Sequence, residues 1–274
     1  MRRVLLIFAL LLLALQVTYS QNDKSFGIAF YNVDNLYDTL PCTSHNDKAY
    51  TPHGSMGWSR ERYRRKIANI TQVIDSMSMP VVALYGVENE QVVRDIVRLS
   101  NNDYAYLHKN SSDSNGLDFA LLYQGDRFFP NKITPWQGAL CIEGEVGLSP
   151  LTIIISHGCK SLGVLLNNKT KEQDSNIIIL GSMGKLNFKK LGLHNTLHDA
   201  ERQGRGNRIV QSKWKMQDYI VTNIEAAQHS DVYVRGWMID SLGKPKACYK
   251  DGKYIGGYSS WLPVFIYFDK IFAH

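Results

Sequence analysis

The chain has 274 residues, with 31 Lys and Arg against 25 Asp and Glu, a net charge of +6. So mild a balance is compatible with an anionic ligand without demanding one. With 44% hydrophobic residues, the chain can bury a sizeable core in one large domain or two small ones.

Arg2 and Arg3 precede an apolar run from Val4 to Val17, broken only by Gln16, and Thr18-Tyr19-Ser20 places small residues at a cleavage site. This layout predicts a secretory signal peptide over residues 1–20, leaving 21–274 as an exported chain in the periplasm or outside the cell. The run falls short of the roughly 20 apolar residues of a membrane span; an uncleaved anchor is the competing reading. Removal leaves 29 basic and 25 acidic residues, a charge of +4, and no second long apolar segment, so the mature chain is expected to be soluble. Cys42, Cys141, Cys159 and Cys248 allow three disulfide pairings in an oxidising compartment. Asn69, Asn110 and Asn168 each open an Asn-x-Ser/Thr sequon.

Phe26 to Val33 reads as a strand, followed by a polar loop through Gly57. Ser59 caps a predicted helix in which Tyr63, Ile67, Ile70, Ile74 and Met77 form one apolar stripe, ended by Pro80. The basic run Arg60 to Lys66 on this helix reads as a solvated face. A strand over Val81–Val87 and a helix over Glu90–Leu99 follow. Further strands are predicted at Leu117–Tyr123, Thr152–Ser156, Asn176–Leu180, Tyr219–Thr222 and Leu262–Phe268. The runs Ile153-Ile154-Ile155 and Ile177-Ile178-Ile179 suit central strands covered on both faces. Alternating strands and helices predict an α/β or α+β class with a layered core.

Seven segments carry a resemblance: Phe30-Tyr31-Asn32-Val33-Asp34-Asn35-Leu36-Tyr37-Asp38, Gly86-Val87-Glu88-Asn89, Asn115 to Tyr123, Ile155-Ser156-His157, Leu180 to Gly184, Trp214 to Val221, and Gly256 to Val264. In order and in pattern they resemble the endonuclease/exonuclease/phosphatase superfamily, whose fold resembles deoxyribonuclease I. The resemblance spans residues 26–268. It implies one domain, a four-layered sandwich of two facing mixed β-sheets flanked by helices, with the site at one edge. It also implies hydrolysis of phosphate esters with a bound divalent cation, usually magnesium.

On that resemblance, Asn32 matches an Asn near the metal, His157 a phosphate-contacting His, and Asp218 the Asp that orients a closing His. Five matched positions are substituted. Gly86 stands at the metal-binding Glu. Ser182 and Gly184 stand at an Asp and an Asn. Ser260 and Trp261 stand at the closing Asp and His. Losing several members of one catalytic unit removes most of its rate advantage. The expectation is a pseudoenzyme without a metal or other cofactor, acting by binding through the remnant cleft. Its ligand would be an anion such as a phosphate or polyanion, or a protein partner, with nucleic acid left open. The alternative is an active magnesium-dependent phosphoesterase or nuclease with rebuilt ligands.

Other groups carry weaker signals. Glu88, two strand positions beyond Gly86, reads as a structural carboxylate about 7 Å further along. His194 and His198, followed by Asp199, have the spacing of two metal ligands on a helix, but Asn195 and Gly192 argue against it. Cys159 near His157 reads as an inert or disulfide-bonded thiol, and Gly204-Arg205-Gly206 as a loop. Trp136, Trp214 and Trp237 are more simply core than binding surface.

Overall fold

The protein is described by a computed structural model over residues 25–111, 115–169, 176–184, 186–225 and 227–268, so the signal-peptide expectation for residues 1–20 lies outside the described residues. The chain first lays down four strands of one sheet: β1 (Phe26–Leu36), β2 (Val81–Val87), β3 (Ala105–Lys109) and β4 (Asp118–Tyr123). It then crosses to a second sheet through β5 (Phe129–Trp136), β6 (Ala139–Val146), β7 (Ser149–Ser156), β8 (Asn176–Gly181) and β9 (His194–Asn195). A short ribbon, β10 (Arg208–Val210) with β11 (Lys213–Lys215), precedes β12 (Tyr219–Thr222) of the second sheet. The chain returns to the first sheet with β13 (Ala227–Val232), forms a second ribbon of β14 (Tyr249–Lys250) and β15 (Lys253–Tyr254), and ends on β16 (Val264–Phe268).

Each main sheet has six strands, ordered β13-β16-β1-β2-β4-β3 and β5-β6-β7-β8-β12-β9. Both are mixed: β1 runs parallel to β2, and β7 parallel to β8, while the other pairings are antiparallel. The isoleucine runs show how they face each other. Ile153, Ile155, Ile178 and Leu180 join the core that holds Ile28 and Phe30. Their alternate neighbours Ile154, Ile177 and Ile179 point outward onto Leu162, Leu165 and Leu166. Period-two alternation on two covered faces accounts for continuous apolar runs.

The outward set is covered by a helix over Leu162–Lys169. The opposite outer layer consists of α1 (Arg60–Met77) and α2 (Glu90–Leu99), which supply Ile70, Ile74, Val93 and Ile96 to the main core. The helix over Leu162–Lys169 is α3, and α4 (His198–Arg202) is short. Two sheets between helical layers give the four-layered sandwich.

Local chemistry sets the helix ends. Ser59 Oγ accepts from Arg62 N and Asn89 Oδ1 from Val92 N, capping α1 and α2. Helix α1 ends before Pro80, at Ser78, whose left-handed backbone (φ 51) turns the chain into β2.

One expectation changes. The basic run on α1 is not all solvated: Lys66 is 1% exposed, with Nζ donating to the Asp34 carbonyl at 2.8 Å. None of the four cysteines forms a disulfide. In line with the reading of Gly192 and Asn195, His194 and His198 do not share a helix: His194 lies on β9, paired with Thr222 of β12, and His198 opens α4.

Candidate functional site

The five substituted positions and the three retained ones gather at one edge of the sandwich, where β1, β2, β7 and β8 end and the loop before β16 returns. Strand β1 carries a left-handed step at Asp34 (φ 58) and Asn35 (φ 55). Asn32 Oδ1 accepts from Asp34 N at 3.1 Å, closing the step. The returning loop is fastened to it: Ser259 Oγ donates to Asn32 O at 2.7 Å and accepts from Trp261 N at 3.0 Å, and Ser260 N donates to Asp34 Oδ2 at 3.1 Å. Asn69 on α1 holds the same loop from behind, donating to Gly256 O and Gly257 O, so this sequon asparagine is occupied as a clamp.

Gly86 lies opposite this step with φ +96, a region that disfavours side chains. A Cβ there would come within 3.4 Å of both Asn32 Oδ1 and Asp34 N. The backbone thus disfavours the residue that a metal carboxylate would require. On the facing sheet, Ser182 N donates to Ser156 O and Ser182 O accepts from Ser156 Oγ, while Gly184 is exposed in a left-handed turn (φ 64). The His157 ring stacks on Tyr85 with centroids 3.8 Å apart.

Asp218 is fully buried on the approach to β12. Its Oδ2 accepts from Asn207 Nδ2 at 2.7 Å, and its Oδ1 has no hydrogen-bond partner. Burial pushes this carboxyl up to about 7, against the lowering effects of the Asn207 hydrogen bond and the Arg208 charge. Trp261 is 8% exposed, with the Arg208 guanidinium 4.2 Å above its ring. An isolated β-bridge joins the same two residues. A mostly buried indole covered by a cation thus stands at the position that the resemblance gives to the closing His.

These residues do not fit magnesium, which takes oxygen ligands, chiefly carboxylates and water. Gly86 has no side chain, Ser182 and Ser260 have no carboxylate, Asn32 Oδ1 is engaged with Asp34 N, and Asp34 Oδ2 is engaged with Ser260 N. Among the described residues, metal-ligand side chains converge elsewhere, at His45, Asp47 and Glu88, whose ligand atoms all lie within 4.8 Å of one another.

That cluster sits where the β1–α1 loop crosses the end of β2. Glu88 Oε1 lies 3.0 Å from His45 Nε2, and Glu88 Oε2 accepts from Asp38 N at 2.7 Å. Burial raises the Glu88 carboxyl to about 7. The Asp38 N–H and His45 bonds pull it down, and the Asp38 and Asp47 charges push it up. Burial alone would lower His45, but the Glu88 hydrogen bond and nearby negative groups reverse this, leaving it raised. The local sequence does predict Glu88 as a structural carboxylate, and its bond to Asp38 N has that character. No periodicity signals His45 or Asp47, which reach Glu88 only because the loop folds back.

The remaining candidates stay outside both places. Cys159 Sγ lies 3.8 Å from Ser161 Oγ, and Gly204-Arg205-Gly206 follows α4. Trp214 and Trp237 pack against the main core, and Trp136 against the outer cluster with α3.

A family model described as the Endonuclease/Exonuclease/phosphatase family matches residues 27–139, less than half of the chain. No curated protein sequence matches. Solved structures match in fold. D. rerio TDP2 complexed with a single-strand DNA product is 15% identical at TM-score 0.57, covering 90% of this chain and 99% of that one. An endonuclease/exonuclease/phosphatase family protein from Bacteroides thetaiotaomicron is 12% identical at TM-score 0.54, covering 92% and 98%. The mannosyl-6-phosphatase Bt3783 of Bacteroides thetaiotaomicron is 11% identical at TM-score 0.55, covering 88% and 98%.

Proposed function

We propose that the chain is a member of the endonuclease/exonuclease/phosphatase superfamily, on a family model over residues 27–139 and a shared fold, and that it is an exported binding protein whose inherited cleft no longer hydrolyses phosphate esters. The observation that carries this reading is Trp261, which stands at the position that the resemblance gives to an imidazole and lies under Arg208, while Asp218 Oδ1 has no hydrogen-bond partner. A phosphodiester repels a nucleophile with its own charge, so hydrolysis needs charge compensation at the phosphoryl oxygens. Gly86, Ser182 and Ser260 supply none.

The cleft retains groups suited to holding an anion. Arg208 offers a guanidinium, a planar donor that matches phosphate geometry. Asn32, His157, Ser182 and Ser260 add polar groups at the same edge. A phosphate-bearing ligand fits this chemistry, and the fold relatives lend support: one was solved with a DNA product and another is a mannosyl-6-phosphatase. No helix among the described residues is long and apolar enough to cross a membrane. Export through residues 1–20 rests on the sequence pattern alone.

The test is isothermal calorimetry with a phosphodiester analogue, paired with a turnover assay on bis(p-nitrophenyl) phosphate in excess magnesium. The expected result is heat with the analogue, lost in Arg208→Ala, and no turnover above background. Magnesium-dependent turnover that disappears in His157→Ala would overturn the reading and establish an active enzyme with rebuilt ligands.

A further inference from the structure

We propose that His45, Asp47 and Glu88 form a binding site for a divalent transition-metal ion, with Zn2+ the ion whose ligand preferences fit best. One imidazole nitrogen and two carboxylates form a donor set for zinc, whose bonds to such groups run about 2.0–2.2 Å. Magnesium and calcium prefer all-oxygen shells. Around a tetrahedral ion with those bonds, ligand atoms stand roughly 3–3.5 Å apart. His45 Nε2 and Glu88 Oε1 are already 3.0 Å apart, and every ligand atom lies within 4.8 Å of the others.

A second observation points to a missing cation. Asp47 is 2% exposed, and while Oδ2 accepts from Cys42 N at 2.9 Å, Oδ1 has no hydrogen-bond partner. A buried carboxylate oxygen without a donor is costly unless a cation meets it. The Glu88 side chain is 1% exposed, and among the described residues His45 is its one ion-pair partner.

The surroundings hold the ligands in place. His45 Nδ1 lies 3.2 Å from Ser44 Oγ, the outer contact that fixes a ligating imidazole with Nε2 toward the metal. The ring lies flush against Gly116, where a Cβ would come within 2.2 Å of Cγ, so only glycine admits His45 here. The loop itself is braced: Tyr37 stacks on Tyr50 at 4.4 Å, and Trp58 Nε1 donates to Tyr37 O. Three protein ligands leave a coordination position open, and a polar cavity of about 500 Å³ adjoins them, lined in part by Asp38, Cys42, Ser44, Asn110 and Asp118. Structural zinc sites are closed by four protein ligands, whereas an open position keeps an exchangeable water.

This site is separate from the Asn32–Trp261 cleft, and its test is independent of the binding proposed there. The full chain is stripped with a chelator, titrated with Zn2+ against a competing chelator, and loaded with Co2+ for its visible ligand-field absorption. Asp47→Asn and Glu88→Gln keep the hydrogen bonds from Cys42 N and Asp38 N while removing charge, so both are expected to fold. The expected result is one equivalent of Zn2+, an affinity reduced at least about tenfold in each amide variant and in His45→Ala, and unchanged binding in His194→Ala/His198→Ala. No stoichiometric binding by the unmodified chain would overturn the site. So would binding that survives Asp47→Asn and Glu88→Gln together, which would mark an adventitious ion only.

Discussion

At the scale of single residues, Asp218 is a fully buried carboxyl with a shifted titration. Its carboxyl is held at about 7, against an ordinary carboxylate value near 3.9 in the unfolded chain. Between those values the folded state binds more protons than the unfolded state. Asp218 therefore lowers stability as pH rises through that window, by at most about 1.4 kcal/mol per pH unit. Below the unfolded value it imposes no such cost, and above the folded value the cost is constant. Asp218→Asn removes the proton linkage while leaving an oxygen to accept from Asn207. Urea denaturation from pH 4.5 to 7.5 is expected to show a flatter stability profile in the variant. Parallel profiles would mean that Asp218 is ionised throughout.

At the scale of elements, the cleft is shaped by the join between the β1 step and the loop before β16. Ser259 is 2% exposed and its hydroxyl serves two backbone groups, Asn32 O and Trp261 N. Ser259→Ala leaves both without that partner and is expected to cost about 1–3 kcal/mol in urea unfolding. It should also weaken the anion binding proposed for the cleft. A loss within 0.5 kcal/mol, the range of ordinary surface substitutions, would show the join to be slack. Much of this architecture was legible beforehand. The stripe Tyr63, Ile67, Ile70, Ile74 and Met77 gave α1, and the isoleucine triplets gave β7 and β8, because burial on fixed faces imprints a period. Strands β5, β6 and β13 were not anticipated. Pro130 and Pro135 disguise β5, which tolerates them as an edge strand. The Lys66 contact escaped notice for another reason: a lysine within a basic run carries no local sign that a carbonyl from β1 will meet it. His45 and Asp47 escaped for the same reason, since they come from a loop without periodicity and meet a carboxylate 41 residues or more further along the chain.

At the scale of the molecule, the proposed loss of hydrolysis leaves the fold intact, and the backbone opposes a simple return. The sandwich depends on alternation in its strands and on helix faces, none of which requires the polar residues of the edge. In the proposed reading these positions once formed a catalytic unit, and the retained residues now serve other contacts. Asn32 closes a backbone step, Asp218 is half-bonded, and His157 stacks on Tyr85. The double change Ser260→Asp and Trp261→His would return an imidazole toward Asp218, and the pair should lower the Asp218 carboxyl and reverse part of its pH dependence. Turnover should not follow, because no carboxylate stands at Gly86. Adding Gly86→Glu is expected to make matters worse: a β-carbon at φ +96 is strained, even though its contacts with Asn32 and Asp34 would be ordinary ones at 3.4 Å. A penalty of about 1–3 kcal/mol is expected for that third change, with magnesium-dependent hydrolysis still at background. Both quantities are read from one preparation, by urea unfolding and by bis(p-nitrophenyl) phosphate assay. A triple variant that is as stable as the double variant and turns over substrate would mean that the β1 step relaxes readily. The cleft would then differ from an active one by side chains alone.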